Sequence, residues 1–176
     1  MALLGILKYP DPFLKTMAKP VESVDAGVRA LIGDMTETMY AARGIGLAAT
    51  QVGVDKRVVV LDVPGDEERR ERGKNLIALV NPEIIEASGS IKYEEGCLSV
   101  PGINADVERA ARVRVRALNG EGAAIDIEAE GLFAIAIQHE IDHIDGILFI
   151  DRLSRLKRDI IKRKLKKALE AEERAL

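Results

Sequence analysis

The sequence feature that most constrains this chain is an H-E-x-x-H stretch at 139–143. The apolar run at 131–137, directly before it, predicts a buried helix. On a helix, His139 and His143 lie one turn apart on the same face, where two imidazoles can bind one metal ion. Glu140, beside the first histidine, can then reach a water on that ion. Polar groups on a buried helix are costly unless they are satisfied, and a metal would satisfy them.

The same five-residue pattern occurs by chance in unrelated chains, where both histidines are ordinary helix residues. Composition favours a metal site, because the chain has two histidines and both lie inside the motif. Histidine is the commonest metal ligand. A catalytic zinc-type site uses three protein ligands and leaves one position open. The third ligand must therefore be a carboxylate, an amide or the single cysteine, Cys97.

The sequence narrows the choice of third ligand. The longer motif H-E-x-x-H-x-x-G-x-x-H is matched through Gly146, but Phe149 stands in place of the third histidine, which excludes the metzincin class. A downstream glutamate ligand is disfavoured, because the following helix is basic and its acidic residues cluster at its end. Cys97 is the better candidate, since a nearby divalent cation stabilises a thiolate. Its glycine, serine and proline neighbours predict that it lies in a turn.

Length and composition limit the class of protein. A chain of 176 residues suits one domain spanning 1–176, and 47% apolar with 31% charged residues indicates a globular protein. A net charge of -3 gives no bulk attraction to nucleic acid. No apolar run approaches the roughly 20 residues that span a bilayer, and the start of the chain lacks the basic segment of a secretory signal. A single cysteine fits a reducing compartment, so we expect a cytoplasmic protein.

The patterning predicts an α+β fold: small, mostly antiparallel sheets around the central H-E-x-x-H helix, with an N-terminal helix and a C-terminal helix. Asp25 is expected to cap the first helix, which ends near Arg43. The tract at 64–75 is expected to be a solvated loop. Strands are predicted at 57–63, 76–80, 83–87, 90–94, 112–118 and 124–129, with turns at Asn81-Pro82, Ser88-Gly89 and 119–122.

The last predicted helix, at 154–174, has one basic side. Ser154 is its expected cap, and its apolar stripe is Leu153, Leu156, Ile160, Leu165 and Leu169. The polar side is strongly basic between Arg155 and Lys167. A local basic helix in a net-negative protein indicates either a polyanion partner such as RNA or a solubilising face.

Three stretches together resemble the signature motifs of the bacterial peptide deformylases. They stand in that family's order: Gly44-Ile45-Gly46-Leu47-Ala48-Ala49-Thr50-Gln51, Glu95-Gly96-Cys97-Leu98-Ser99 and Gln138-His139-Glu140-Ile141-Asp142-His143. The G-x-G spacing in the first stretch is not a dinucleotide fingerprint, because it follows a predicted helix and leads towards a strand. The resemblance covers essentially the whole chain.

The resemblance implies removal of the formyl group from the N-terminal formyl-methionine of a newly synthesised polypeptide, with release of formate. Cys97, His139 and His143 would bind the metal, whose bound water attacks the formyl carbon. Glu140 would act as general base and then as acid. The oxyanion would be stabilised by the metal and by two catalytic donors, the Gln51 amide and the Leu98 backbone N–H.

The resemblance also implies the substrate site, the ion and the partners. The methionine pocket would be lined by Ile45, Tyr93, Leu132, Ile135 and Ala136, and the peptide backbone would pair with Gly44, Gly46 and Gly96. The expected ion is Fe²⁺, which Zn²⁺, Ni²⁺ or Co²⁺ can replace. The helix between Arg155 and Lys167 would dock on the ribosome, and the protein is expected to be a monomer without membrane contact. Glu95 is expected to pair with Arg109 and brace the Cys97 loop.

Two alternatives remain open on the residues alone. A zinc endopeptidase of H-E-x-x-H type would use Glu140 and both histidines but would cleave unformylated peptides. A non-catalytic, metal-stabilised ribosome-binding module would need a fourth protein ligand, and only a carboxylate such as Glu95 or Asp142 could provide it.

Overall fold

The computed structural model of the protein describes residues 2–65 and 71–175. Residues 66–70 of the predicted solvated loop therefore lie outside the described residues. The helices are α1 (Ala26–Ala41), α2 (Gly131–Ile144) and α3 (Arg155–Ala175), joined by short 3-10 helices. The strands are β1 (Gly46–Ala48), β2 (Val58–Asp62), β3 (Leu76–Ser88), β4 (Ile91–Cys97), β5 (Val100–Arg109), β6 (Arg112–Leu118) and β7 (Ala124–Glu130).

The strands form two antiparallel sheets around α2. One sheet has the strand order β1-β2-β3-β6-β7, and β4 pairs with β5 in a second sheet. Every residue of β2 is buried because helices cover both of its faces. Val59 and Leu61 pack in the cluster that contains the α2 residue Ile137, whereas Val58 and Val60 pack with Met35 of α1. The α+β fold with helices at both ends is confirmed.

The predicted turn at Asn81-Pro82 is wrong, because β3 continues through it. The strand pairing shifts register there, and Asn81 adopts the left-handed conformation with φ 53°. This strained backbone is held by tertiary contacts: the Asn81 side chain accepts from the Val21 N–H and donates to the Val21 carbonyl, both at 2.8 Å. The feature is a β-bulge, where an asparagine and a proline are tolerated within a strand.

The sequence pattern predicts no strand at 100–109, yet these residues form β5. The turn expected around Cys97 is correspondingly shorter, since only Leu98 and Ser99 separate β4 from β5. Pro101 and Gly102, near the start of β5, are residues typical of turns and interrupt the strand pattern. Val107, further along β5, is buried. Pairing with β4 satisfies this backbone and therefore overrides the turn-forming residues.

The terminal helices lie where the sequence predicts them. The Asp25 carboxylate accepts from the Val28 N–H at 2.9 Å and caps α1. The expected apolar stripe of α3 is partly wrong: Leu165 is buried as predicted, but Leu156 and Ile160 are exposed. None of the described helices is long and apolar enough to cross a membrane.

Replacing Gly146 by alanine should destabilise the fold strongly. Its φ of 78° suits glycine, and a Cβ there would lie 2.4 Å from the Lys15 carbonyl oxygen. We expect Gly146→Ala to lower the free energy of unfolding by about 1–2 kcal/mol for the left-handed backbone. Overpacking adds about 1–3 kcal/mol to that cost. Urea denaturation measures the change.

Gly102→Ala is the matched control for this prediction. Gly102 has a similar φ of 76°, but apart from its chain neighbours no described residue comes within 4 Å of the position that a Cβ would take. Only the backbone cost of about 1–2 kcal/mol should therefore appear. Equal losses in the two variants would show that the contact with Lys15 is unimportant.

Candidate metal centre and active site

The structure brings together three side chains that can bind a metal. Cys97 ends β4, and His139 and His143 lie one turn apart on α2. The Cys97 Sγ is 3.3 Å from the His143 Nε2, which is 3.2 Å from the His139 Nε2. An ion bound tetrahedrally at about 2.0–2.3 Å would hold such ligand atoms about 3.4–3.6 Å apart. The three donors are therefore spaced for one ion.

The hydrogen bonds around the donors also suit a divalent cation. Burial lowers the pKa of His139, but hydrogen bonds to Cys97 and Glu95 outweigh it and raise the pKa to about 10, so a cation at this site would displace a proton from the ring. The His139 Nδ1 lies 2.8 Å from the Glu95 Oε1, so the carboxylate accepts the Nδ1 proton and Nε2 is left to bind the ion. Burial lowers the pKa of His143 well below 6.5, so its imidazole is neutral. The Cys97 sulfur accepts from the Ser99 N–H at 3.4 Å, which holds the side chain beside the two histidines. The residues present fit a single metal ion.

Glu140 is a buried carboxylate beside these donors. Its side chain packs so closely on Gly46 that a Cβ at that glycine would lie 2.6 Å from the Glu140 Oε1. Within the described part of the chain, the buried Oε2 has no hydrogen-bond partner. Burial raises the pKa of Glu140 to about 7. A carboxylate of this kind can accept a proton near neutral pH and release it again.

Gln51 is buried in the short 3-10 helix after β1, and its amide is oriented by contacts at both ends. The Oε1 accepts from the Ala48 N–H at 2.9 Å. The Nε2 donates to the Ser99 hydroxyl at 3.1 Å and approaches the Cys97 sulfur at 3.6 Å. The amide NH₂ group is therefore held on the side of the metal donors. Ser99 contacts both the Gln51 amide, through its hydroxyl, and the Cys97 sulfur, through its N–H. No sequence signal marks Ser99 as a residue that positions these two side chains.

The expected pairing of Glu95 with Arg109 is confirmed. The Arg109 Nε and Nη2 donate to the two Glu95 oxygens at 2.6 and 2.9 Å, and both side chains are 4% exposed. Burial alone would raise the pKa of Glu95, but hydrogen bonds from His139 and Arg109 outweigh it and lower the pKa below 4.5. Glu95 is thus an anion that joins β5 to the imidazole of His139.

A cavity of about 410 Å³ opens onto the donors, between the edges of the two sheets. β1 ends the larger sheet, and among the described strands β4 has only β5 as a partner. The lining contains every residue predicted for the substrate site: Gly44, Ile45, Gly46, Tyr93, Gly96, Leu132, Ile135 and Ala136. It also contains Gln51, Cys97, Leu98, His139 and Glu140. Arg43 and Glu94, which no sequence signal marks, line it as well.

A fourth protein ligand is absent from the described residues around the donors. The metal-ligand cluster there consists of Cys97, His139 and His143. Phe149, at the position of a metzincin's third histidine, is buried and stacks near the His139 ring at 6.1 Å between centroids. Asp142, a possible closing carboxylate, instead accepts hydrogen bonds from arginines. The geometry therefore fits an open site and not a closed structural one.

Comparison with known proteins identifies the family. The family model described as polypeptide deformylase matches residues 3–159. The chain belongs to this family. A peptide deformylase of Neisseria meningitidis is 57% identical and aligns over 95% of this chain and 96% of that protein.

Solved deformylases share the fold. The crystal structure from Legionella pneumophila has a TM-score of 0.86 and 48% identity, and covers 98% of this chain and 99% of that one. The structure from Ehrlichia chaffeensis in complex with actinonin has a TM-score of 0.87 and 43% identity, and covers 96% and 98%. The chain is therefore a deformylase that removes the formyl group from N-terminal formyl-methionine. The endopeptidase and non-catalytic alternatives gain no support.

Replacing Glu95 by glutamine should weaken metal binding. The variant keeps the size of the side chain but removes the charge that pairs with Arg109 and accepts from His139. Loss of a direct partner of a metal-binding histidine typically costs about 10–100-fold in metal affinity. Competition with a chromogenic chelator measures the affinity. Unchanged affinity and stability in Glu95→Gln would refute the bracing role.

Proposed function

We propose that Cys97, His139 and His143 bind one ferrous ion and that Glu140 transfers protons during hydrolysis of the formyl amide. One observation carries this proposal: the Glu140 carboxylate and the three donors line the same cavity or lie next to it, and the Glu140 Oε2 has no hydrogen-bond partner among the described residues. When bound, the ion would activate the attacking water and polarise the formyl oxygen as a Lewis acid. The donor set supports a single divalent ion, and Fe²⁺ is the choice that the family resemblance implies over Zn²⁺, Ni²⁺ and Co²⁺.

Glu140 is proposed to move the proton in both halves of the reaction. Its carboxylate would take a proton from the attacking water and then deliver it to the nitrogen of the departing amine. A pKa of about 7 suits both steps, because neither protonation state is strongly favoured at neutral pH. Gly46 keeps the Glu140 side chain close, since no Cβ intervenes.

Two further groups are proposed to stabilise the oxyanion. The Gln51 amide is already fixed with its NH₂ group towards Cys97. The Leu98 N–H belongs to the turn between β4 and β5, and Leu98 lines the cavity. Loss of one such donor typically costs about 10²–10³ in rate.

The substrate is proposed to bind as an extended peptide between the edges of β1 and β4. Its backbone would pair with residues 44–46 and Gly96, in the manner of an added strand. Glycine at 44 supports this arrangement, because a Cβ there would lie 2.8 Å from the Leu98 side chain. The methionine side chain would occupy the apolar part of the cavity, formed by Ile45, Tyr93, Leu132, Ile135 and Ala136.

We further propose that the chain acts as a monomeric, single-domain enzyme in the cytoplasm and docks on the ribosome through α3. Between Arg155 and Lys167, this helix has eight basic residues and one acidic residue, Asp159. Only Leu165 of the helix is fully buried among the described residues, so most of the basic side chains face solvent. Such a surface suits the phosphates of ribosomal RNA.

The proposed reaction can be measured directly. Protein purified without oxygen should release formate from a formyl-Met tripeptide, and its metal content should be about one iron per chain. A strong chelator should abolish the activity, and Fe²⁺, Ni²⁺ or Co²⁺ should restore it. Formate is measured with a coupled dehydrogenase assay, and metal by mass spectrometry.

Glu140→Ala is the control for this assay. We expect it to retain the ion but to lose about 10²–10⁴ in rate, the usual contribution of general acid–base catalysis. An unformylated peptide should not be cleaved. Absence of formate release from fully metal-loaded protein would contradict the proposed function.

Neutralising part of the basic helix should weaken ribosome binding. In the triple variant Lys164→Gln, Lys166→Gln and Lys167→Gln, all three exposed charges are lost while the buried Leu165 remains. Each phosphate contact contributes about 0.7–0.9 to the slope of log affinity against log salt, so the slope should fall by about 2–3. Co-sedimentation with ribosomes over a range of salt concentrations measures it.

The matched control replaces three exposed lysines outside α3, as Lys15→Gln, Lys19→Gln and Lys56→Gln. This variant has the same net charge as the triple variant of α3. If both variants lose ribosome affinity equally, binding depends on net charge and not on α3.

A further inference from the structure

A second cleft lies behind the metal donors. It has a volume of about 550 Å³ and shares no residue with the substrate cavity. Arg109, Asp142 and Arg152 are among the residues that line it. Arg109 separates the two spaces, because its guanidinium is bonded to Glu95 of the substrate cavity and to Asp142 of the rear cleft.

A continuous series of charged hydrogen bonds connects this cleft to His139. Glu95 accepts from the His139 Nδ1, and Arg109 donates two bonds to Glu95. The Arg109 Nη1 also donates to the Asp142 Oδ2 at 2.9 Å. Arg152 completes the series by donating to both Asp142 oxygens, from Nη2 at 2.8 Å and from Nε at 3.1 Å.

The charges in this series balance only when Arg152 is included. Glu95 and Asp142 supply two negative charges, whereas Arg109 supplies one positive charge, and all three side chains are almost fully buried. Arg152 adds the second positive charge and is the member that reaches solvent, with 46% of its side chain exposed. A buried ionic group that loses its partner is strongly disfavoured. Without Arg152, Asp142 would compete with Glu95 for Arg109.

We propose that Arg152 is a positioning residue for the metal centre, acting through Asp142, Arg109 and Glu95 on the orientation of His139. A two-pronged hydrogen bond from its planar guanidinium holds the Asp142 carboxylate in the direction that leaves Arg109 paired with Glu95. Glu95 then keeps the His139 ring turned with Nε2 towards the other donors. This inference rests on the proposed metal site.

Asp142 connects Arg152 to the helix that carries both metal-binding histidines. Asp142 lies on α2 between the two histidines, and its own side chain faces the rear cleft instead of the substrate cavity. Removal of a direct partner of a metal-binding histidine costs about 10–100-fold in metal affinity. Arg152 acts through three intervening side chains, so we expect a smaller loss, of about three- to tenfold.

The test compares Arg152→Ala and Arg152→Lys with the wild type, each as the full chain. All three proteins are loaded with Co²⁺, and the visible absorption bands report the ligand geometry. Transfer of Co²⁺ to a chromogenic chelator gives the affinity and the rate of loss. Thermal unfolding of the metal-free proteins is measured separately. Arg112→Ala is the control, because Arg112 forms an exposed ion pair with Glu130, away from the metal donors.

We expect Arg152→Ala to shift the Co²⁺ bands and to bind the ion about three- to tenfold more weakly. Arg152→Lys should recover part of the loss, since an ammonium restores the charge but not the planar fork. Guanidinium added below denaturing concentration should partly restore the Arg152→Ala spectrum by entering the open rear cleft. Arg112→Ala should match the wild type.

An Arg152→Ala protein with wild-type bands and affinity would overturn the inference, even if its melting temperature were lower. A lower melting temperature alone would assign Arg152 a structural role. Failure of the proposed function is a different result, because the wild-type protein itself would then bind no ion or release no formate.

Discussion

The buried pairing of Glu95 with Arg109 is the interaction on which the geometry of the site depends. It joins both strands of the smaller sheet, and through His139 and Asp142 it connects that sheet to α2. Charged groups leave water at a high cost, so they persist in an interior only as a paired and hydrogen-bonded set. This set fixes the orientation of a metal-binding imidazole that covalent geometry alone leaves free to rotate.

The helix that carries the site divides its residues between two tasks. The early part of α2 is apolar and packs on the larger sheet, where Ala134 and Ile137 are fully buried. The later part presents both histidines to Cys97 and Glu95 of the smaller sheet and Glu140 to Gly46 of β1. Since the apolar half is anchored in the core, the polar half has little freedom to adjust. Precise placement of catalytic groups is easier on such a rigid element than on a loop.

The C-terminal helix has a different relation to the core. Leu165 is buried with Phe149 and Leu14, but Leu156 and Ile160 are exposed. Packing therefore holds the helix through few side chains, whereas its charge dominates its surface. Most of the charged surface of this helix is therefore exposed to solvent.

Local patterns in the chain were sufficient for the helical spacing of His139 and His143, the cap at Asp25 and the family motifs. Each depends on residues close together in sequence, where helix periodicity and capping rules apply directly. The bulge at Asn81 escaped prediction because Val21, which holds it, is 60 residues away. β5 was not predicted because its pairing with β4 outweighs the turn-forming residues in its own sequence. The proposed role of Arg152 depends on its hydrogen bonds to Asp142 of α2. Contacts between separate elements leave no periodic signal in the sequence, so only the folded chain reveals them.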